Sequence, residues 1–177
     1  PCALLLNRKR CGRFKARLVV LGNRWRPDVE DNNVFAPTVS HTANRVALTH
    51  TAKNAFHPIP FDIGNAFIRA SMGDVKVCVK LPESFVSKDK SDSGRRILLK
   101  ALYGLPISPR LWAKTLARDL REMGWLESKH EPGVWVKHLL DPDSGQLVLA
   151  GLLTVYVDDC LLSYRTKEEA EIEVQKI

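Results

Sequence analysis

The chain has 177 residues, of which 45% are hydrophobic and 27% are charged, and its formal net charge is +7. This composition fits one ordinary globular domain or two small lobes that share a core, and it argues against a disordered chain. The positive charge is compatible with a polyanionic partner, although a requirement for solubility explains it equally well.

Cysteine content and apolar patterning narrow the class of protein. The cysteines show no CxxC or zinc-finger spacing, which is typical of free thiols in a reducing compartment; they are Cys2, Cys11, Cys78 and Cys160. The longest apolar run, around 147–157, is too short and too interrupted to span a bilayer. No signal peptide or lipidation motif is visible, so we expect a cytoplasmic protein with no membrane contact.

The first segment of the chain predicts a β-hairpin. Apolar residues lead into a turn at Cys11-Gly12, and a second strand follows over RFKARLVVLG. Lys15 and Arg17 are two residues apart on that strand, so their side chains project from the same face. A polar loop is expected over 25–34.

A helix and a short strand are predicted next. Small and apolar residues recur at helical spacing within 38–56, with Thr38 or Ser40 as possible N-cap. Pro58 and Pro60 then exclude a helix, and IPFDIGNAF predicts a short strand that runs into a turn.

The middle of the chain predicts two strands and a long helix. VKVCVKLP alternates cleanly, KDKSDSGRR has the composition of a solvated loop, and RILLKALYG predicts another strand. The helix that follows has Ser108 as N-cap, Pro109 at its first position, one apolar face, and Gly124 at its end.

The last part of the chain predicts strands around a pair of acids. GVWVKHLL and LVLAGLLTVYVDD are separated by the turn DPDSG, CLLSY returns after the aspartates, and TKEEAEIEVQKI has a helical pattern. The whole pattern predicts an α+β fold with antiparallel hairpins and long helices. Because the chain opens with Pro1 and closes inside this helix, we interpret it as a piece of a longer protein.

Two adjacent aspartates, Asp158 and Asp159, interrupt an otherwise apolar segment. Burial of unpaired carboxylates costs several kcal/mol, so the segment indicates either a neutralising cation or a solvated polar turn. Turns favour Asn-Gly or Asp-Gly, and the flanking Val157, Cys160 and Leu161 have the character of buried residues. Both observations disfavour the solvated turn.

A third acid, Asp62, also ends an apolar strand. If this strand pairs beside the hairpin of Asp158, two or three carboxylates converge at one edge of a sheet. Such oxygen ligands, with positions left open for phosphates, suit two divalent cations in a phosphoryl-transfer site. On its own, Asp62 is equally well explained as an N-cap or turn residue.

A series of ordered segments carries a resemblance to a known family. YVDD resembles the YxDD box of reverse transcriptases, and the other segments resemble the polymerase of copia-type (Pseudoviridae) retrotransposons. Those segments are FKARLVVLG, VFAPTVS, FDIGNAFIRASM, VCVKLPESF and KALYGLPISPRLW, and the resemblance runs from about residue 13 to residue 164. The order of the segments makes the resemblance specific.

The resemblance implies RNA- and DNA-templated DNA synthesis by a two-metal mechanism. Asp62 and Asp158 match the metal-binding catalytic acids of the family, with Asp159 as a more peripheral one. The expected cofactor is two Mg²⁺ ions, for which Mn²⁺ can substitute. A primer 3′-hydroxyl would attack the α-phosphate of a deoxynucleoside triphosphate.

The resemblance also assigns residues to the nucleotide and to nucleic acid. Expected nucleotide-binding residues are Lys15, Arg17, Ile63, Phe67, Tyr103 and Gly104, and expected nucleic-acid contacts are Tyr156, Val157, Pro109 and Arg110. Lys15 and Arg17 would hold the triphosphate, and Phe67 would be a steric gate against a ribose 2′-hydroxyl. Without the resemblance, Lys15 and Arg17 fit a solvated strand face. Phe67 then fits a core position, and Tyr103 and Gly104 fit a simple strand-to-helix connection.

The fold implied is the fingers and palm of a right-hand polymerase, with an antiparallel palm sheet backed by helices and the thumb absent. The expected fingers are 1–37 and 70–107, and the expected palm is 38–69 and 108–177. Implied partners are a primed RNA or DNA template, deoxynucleoside triphosphates, and the remaining Pol domains (thumb, ribonuclease H and integrase). These would act in a cytoplasmic virus-like particle of a eukaryotic host. Without a thumb, this piece is expected to be weakly active or inactive by itself.

Some positions depart from the family pattern. Pro106-Ile107 stands where the family often has Lys-Gln, so one basic contact is expected to be missing.

Two other functions stay open. A catalytically inactive nucleic-acid-binding module or transposon remnant would keep the fold and charge without turnover. A metal-dependent phosphodiesterase on the same carboxylates would cleave nucleic acid without nucleotides. Trp25, in a basic loop, is a further candidate nucleic-acid contact.

Overall fold

A computed structural model describes residues 1–24, 34–88 and 91–177. In these ranges the chain forms a mixed α/β structure whose strand pairs are all antiparallel. The predicted α+β class with antiparallel hairpins is therefore confirmed. Trp25 and almost all of the polar loop predicted over 25–34 lie outside the described residues.

The chain divides into two compact units, each built from two separate segments. Unit 1 contains Pro1–Phe35 and Phe67–Trp112, and unit 2 contains Ala36–Ala66 and Ala113–Ile177. The units are described separately below.

Unit 1 begins with the predicted hairpin. Strand β1 (Cys2–Arg8) pairs with β2 (Phe14–Val20), and the register places Leu5 opposite Arg17. Gly12 lies in the connecting turn with φ +84°, a conformation in which a side chain would be strained.

The other two strands of unit 1 are shorter than predicted. VKVCVKLP contributes three residues, β4 (Cys78–Lys80), to a strand pair, and RILLKALYG contributes only the last two residues of its partner β5 (Arg95–Ile97). Beyond β5 the Leu98 N–H still donates to the Val77 carbonyl, but Leu99 then accepts from the Met72 N–H and the Ala101 N–H donates to Ala70. These bonds join the segment after β5 to the end of the short helix α2 (Ala66–Arg69).

The loop before β5 was predicted to be solvated, and most of its described residues are exposed, with Asp92 as a local hydrogen-bond acceptor. The Asp92 carboxylate accepts from the backbone N–H groups of Ser87 and Gly94 and forms an ion pair of 2.8 Å with Arg96. The Arg96 guanidinium, followed by the two backbone donors, lowers the pKa of Asp92 well below its usual range. One carboxylate therefore links Ser87, Gly94 and Arg96.

Unit 2 is built on a five-stranded antiparallel sheet with the order β3-β9-β8-β7-β6. The strands are β3 (His57–Asp62), β6 (Leu126–Glu127), β7 (Val134–Leu140), β8 (Leu147–Tyr156) and β9 (Asp159–Tyr164). All but β6 were predicted. Pro58 and Pro60 are accommodated because β3 is an edge strand of the sheet, where a missing N–H need not interrupt the ladder.

Three longer helices complete the fold: α1 (His41–Lys53), α3 (Ser108–Glu122) and α4 (Lys167–Lys176). Ser40 is the N-cap of α1, and its hydroxyl accepts from the Ala43 N–H at 3.1 Å. α3 ends, as predicted, before Gly124, which has φ +83°. None of the described helices has the length and apolar character needed to cross a membrane.

The predicted N-cap role of Ser108 needs correction. Ser108 is already the first residue of α3, and it is fully buried. Its hydroxyl donates to the Leu102 carbonyl at 2.7 Å and accepts from the Leu102 N–H at 3.1 Å. Because both backbone groups of Leu102 are used, Ser108 fixes the preceding loop to the start of the helix.

A nearly buried ion pair connects α4 to the sheet of unit 2. The Lys137 amine lies 2.8 Å from the Glu173 carboxylate, and these side chains are 12% and 6% exposed. The same amine lies 5.6 Å from the centre of the Trp125 ring. Burial raises the pKa of Glu173, but hydrogen bonds from Lys137 and Lys176 outweigh it, so the pKa is lowered overall. The stabilisation is therefore present above the unfolded pKa and is lost as the pH falls through the lower, folded value.

Removal of one partner should destabilise unit 2 much more than removal of both. We expect Glu173→Leu to lower the free energy of unfolding by about 3 kcal/mol at neutral pH, because it leaves the Lys137 charge buried without a partner. The double variant with Lys137→Leu should recover most of this loss. Urea denaturation followed by circular dichroism measures both values.

The matched control is Glu171→Leu, which removes the partner of an exposed pair, Lys167–Glu171, on the same helix. An exposed pair contributes little, so this variant should stay close to the original chain. A loss with Glu171→Leu as large as with Glu173→Leu would contradict a special role for the buried pair.

Candidate active site

The two adjacent aspartates lie at the tip of the β8–β9 hairpin. Tyr156 pairs with Asp159, so the loop contains only Val157 and Asp158. Val157 has φ +61°, whereas Asp158 does not have a positive φ. Positive φ at the first loop position alone is the pattern of a type II′ turn, which favours glycine there. Because valine is β-branched, its presence indicates local strain of about 1–3 kcal/mol.

The third acid lies beside this hairpin. Asp62 is the last residue of β3, and the antiparallel register places it directly opposite Asp159. The next residue, Ile63, is buried, and its N–H donates to the Asp158 carbonyl at 2.9 Å. The three aspartates are therefore neighbours at one end of the sheet, although Asp62 is far from the other two in the sequence.

Solvent exposure corrects part of the sequence analysis. Asp62 and Asp159 are exposed and Asp158 is half-buried, so the acids are not enclosed in an apolar environment. Cys160 is buried as expected, but Val157 and Leu161 are only half-buried. The penalty for burying two carboxylates is avoided because the hairpin tip reaches water, whereas the strands below it are covered.

The pKa of the Cys160 thiol reflects the negative charge at this end of the sheet. Burial raises the pKa of its thiol to about 12, and the negative charges of Asp159, Asp158 and Asp62 add to the effect in that order. All three carboxylates therefore act electrostatically on one buried atom. An accumulation of negative charge at this end of the sheet favours a cation.

The donor atoms fit a divalent cation. In the described part of the chain, no three His, Cys, Asp or Glu side chains converge closely enough to hold a metal ion by themselves. The three aspartates nevertheless offer carboxylate oxygens at a solvent-open end, which is the donor type that hard divalent cations prefer. Such an ion would keep coordination positions for water or substrate oxygens.

Unit 1 brings three of the predicted nucleotide-binding residues together. The Tyr103 ring lies 4.8 Å from the Phe67 ring, centre to centre, in an edge contact. The Arg17 guanidinium lies 5.7 Å from the centre of the same Tyr103 ring. Lys15 is two residues from Arg17 on β2, in the register position opposite Asn7.

The loop that carries Tyr103 lies directly against the end of β2. The Tyr103 carbonyl accepts from the Val20 N–H at 2.7 Å. Gly104 has φ +83°, and a Cβ there would collide with the Val20 carbonyl oxygen. A Cβ at Gly22 would collide in turn with the Gly104 carbonyl. Both positions therefore need glycine, because two backbones approach too closely for a side chain.

The remaining predicted contacts are distributed over both units. Tyr156 is 56% exposed at the end of β8. Pro109 and Arg110 form the first turn of α3 and are half-buried. The sequence analysis gave Ser108 a different role, that of an N-cap, and missed the supporting role of Gly22. The terminal glycine of RFKARLVVLG is the pattern that indicates a close backbone approach at the end of β2.

Comparisons with known proteins agree with the sequence segments. The profile of the family described as reverse transcriptase (RNA-dependent DNA polymerase) matches residues 5–176. The chain is 32% identical over 151 residues to the retrovirus-related Pol polyprotein from transposon RE2 of Arabidopsis thaliana, covering 85% of this chain and 10% of that protein. It is 28% identical over 155 residues to the Pol polyprotein from transposon TNT 1-94 of Nicotiana tabacum, covering 88% and 11% respectively.

A third relative comes from yeast. The chain is 32% identical over 112 residues to the transposon Ty1-BL Gag-Pol polyprotein of Saccharomyces cerevisiae, which is 63% of this chain and 6% of that protein. The chain thus spans about a tenth or less of these relatives. No solved structure gives a significant match. The resemblance to copia-type retrotransposon polymerases is confirmed, and the chain belongs to the reverse transcriptase (RNA-dependent DNA polymerase) family.

Proposed function

We propose that this chain supplies the site for RNA- or DNA-templated DNA synthesis within a copia-type Pol polyprotein. The observation that carries the proposal is the pairing of Asp62 with Asp159, beside Asp158, in a chain of the reverse transcriptase family. In the reaction, a primer 3′-hydroxyl attacks the α-phosphate of a deoxynucleoside triphosphate, a new phosphodiester bond forms, and pyrophosphate leaves.

Asp62 and Asp158 are proposed to hold two Mg²⁺ ions, with Asp159 as a peripheral ligand and Mn²⁺ as a substitute. Reverse transcriptases in general use divalent metal ions. When bound, such ions lower the pKa of the attacking hydroxyl and neutralise charge on the leaving phosphates. The exposed carboxylates of Asp62 and Asp159 leave room for the substrate at this end of the sheet.

Unit 2 is proposed to be the palm of a right-hand polymerase and unit 1 the fingers. The antiparallel sheet of unit 2 carries the three acids, and helices α1 and α4 contact its strands. Unit 1 carries the basic hairpin and the loop with Tyr103. The division at Phe35/Ala36, Ala66/Phe67 and Trp112/Ala113 lies a few residues from the expected boundaries.

The Arg17–Tyr103–Phe67 cluster is proposed to bind the incoming nucleotide. Lys15 and Arg17 would neutralise the triphosphate, and guanidinium and ammonium groups suit this role. Phe67 would exclude a 2′-hydroxyl, with Tyr103 supporting its ring at 4.8 Å. Ile63 and Gly104 would contribute backbone close to the nucleotide.

Nucleic acid is proposed to be bound mainly through charge. Residues 1–24 contain seven Lys or Arg and no Asp or Glu, so this segment alone equals the net charge of the whole chain, +7. Its cations are Arg8, Lys9, Arg10, Arg13, Lys15, Arg17 and Arg24. Tyr156, Val157, Pro109 and Arg110 are proposed as further contacts to the primed template. The remaining proposed partners are the thumb, ribonuclease H and integrase segments of Pol. All would act in a cytoplasmic virus-like particle of a eukaryotic host.

Loss of one metal-binding acid should abolish synthesis. We expect Asp158→Asn to lower primer extension on a primed RNA template at least about 100-fold, because it removes several kcal/mol of charge stabilisation in the transition state. The control is Asp143→Asn, an exposed aspartate in the turn at the opposite end of the same sheet. Undiminished extension by Asp158→Asn would refute the two-metal assignment. Because the piece alone is expected to be weakly active, the assay uses a Pol polyprotein that contains this chain and the proposed thumb; template binding without extension by that unmodified polyprotein would instead indicate a catalytically inactive nucleic-acid-binding module.

Removal of the Phe67 ring should relax sugar selection. We expect Phe67→Ala to raise incorporation of ribonucleotides relative to deoxyribonucleotides about 10- to 100-fold, since a small shape difference in a pocket discriminates by that amount. Single-nucleotide extension with each substrate gives the ratio of kcat/KM values. Phe85→Ala, at an exposed phenylalanine of unit 1, is the control and should leave the ratio unchanged. The same ratio in Phe67→Ala as in the original chain would contradict the gate.

Salt dependence should identify the basic hairpin as the phosphate-binding surface. We expect the double variant Lys9→Gln, Arg10→Gln to reduce the slope of log Kd against log salt by about two, because each phosphate contact contributes about 0.9. Fluorescence anisotropy of a labelled primed template at several salt concentrations measures the slope. The control with the same charge change, Lys53→Gln with Lys129→Gln in unit 2, should keep the original slope. Equal slopes for both double variants would place the contacts elsewhere.

A further inference from the structure

The segment VFAPTVS has a defined place beside the aspartate hairpin, although the proposed chemistry gives it no role. The Val39 N–H donates to the Val155 carbonyl at 3.0 Å, and the Val155 N–H donates to the Gly133 carbonyl at 2.8 Å. Strand β7 pairs with β8 only as far as Val134 and Thr154. Val39 therefore bonds to β8 on the side that faces β7, at the last residue before Tyr156.

Gly133 makes this arrangement possible. Its φ is +76°, and a Cβ there would lie 2.6 Å from the Val39 nitrogen, 2.7 Å from the Val155 oxygen and 3.0 Å from the Thr38 carbonyl carbon. All three are backbone atoms, which cannot move aside as a flexible side chain would. Any side chain at position 133 would therefore push the 38–40 segment away from β8.

Glu131 fixes the same segment from the side. Its carboxylate accepts from the Ser40 N–H at 2.8 Å, and this interaction with Ser40 lowers the pKa of Glu131. Ser40 in turn caps α1. The segment is thus held at Val39 by backbone and at Ser40 by a carboxylate, just where it enters the helix.

Helix α1, which begins directly after Ser40, is hydrogen-bonded to both strands of the hairpin. The Thr154 hydroxyl donates to the Asn44 side-chain carbonyl at 3.0 Å, and a hydrogen bond of 2.8 Å joins the hydroxyls of Thr51 and Ser163. Thr51, Thr154 and Ser163 are buried. Because buried polar groups are costly to leave unpaired, these bonds favour one position of α1 on β8 and β9.

We infer that Gly133 and Glu131 are positioning residues, which hold the 38–40 segment against β8 and so set the separation of the carboxylates that bind the metal ions. The inference rests on the proposed function of the hairpin. On the opposite side, the Ile63 N–H and the β3 ladder hold the hairpin. The Val39 and Gly133 contacts complete the support, so the strained Val157 loop is constrained from both edges.

The test uses the full chain and Mn²⁺ alone, with free Mn²⁺ quantified by electron paramagnetic resonance. We expect Gly133→Ala to weaken Mn²⁺ binding about 10-fold, as outer-shell changes commonly do, and to speed hydrogen exchange at the Val39 and Val155 amides. The matched control is Gly145→Ala: Gly145 has φ +66°, so alanine meets the same backbone strain, but its Cβ meets nothing within 4 Å. The control should keep the original Mn²⁺ affinity.

Glu131 provides a milder second test in case Gly133→Ala does not fold. Glu131→Ala should weaken Mn²⁺ binding, whereas Glu131→Gln, which keeps an acceptor for the Ser40 N–H, should restore most of it. Unchanged Mn²⁺ affinity in Gly133→Ala or Glu131→Ala, measured where Asp158→Asn loses binding, would overturn the positioning role and leave the proposed function intact. Unchanged affinity in Asp158→Asn would overturn both.

Discussion

The ladders that β9 forms along both of its edges determine where the acids of this protein lie. On one edge β9 pairs with β8 through a two-residue loop, which fixes Asp158 and Asp159 at the tip. On the other edge it pairs with β3, and the register ends with Asp62 opposite Asp159. A shift of one residue in that second register would turn Asp62 to the other face of the sheet.

This constraint explains why a strained residue is tolerated in the loop. Val157 adopts a positive φ that costs a β-branched residue about 1–3 kcal/mol. The cost is offset because the ladders on both sides of the tip are formed together with the turn. The main-chain bond from Ile63 to Asp158 further limits the conformations open to the loop. The ladders on both sides of the tip therefore both impose the strain at Val157 and place the acids.

Local patterns predicted most of the elements, whereas tertiary contacts decided the rest. The hairpin of β1 and β2, helix α3 and strands β7 to β9 follow from alternation, capping residues and glycine positions. β6 has only two residues and leaves no periodicity to detect. The strand after Arg96 was predicted too long because Leu99 and Ala101 bond to Met72 and Ala70, a choice that depends on the folded chain.

The candidate site was predictable to a similar degree. The residue types and order of the YVDD and FDIGNAF segments indicated which acids belong together. Their exposure could not be read from the apolar residues around them, since alternation does not say how far a hairpin tip projects into water. The contact of Arg17 and Phe67 with one tyrosine ring joins three distant segments. No pattern within any one of the three segments encodes it.

The two prolines of β3 also bear on how the protein meets extended segments of other molecules. β3 is an edge strand and carries Asp62. An ordinary strand at this edge would offer unpaired N–H groups to any extended segment nearby. Pro58 and Pro60 remove two of those donors. An extended segment of another molecule thus meets an edge that is a poor template for β-pairing. The strand that carries Asp62 is thereby made less able to pair with a foreign strand along its outer edge.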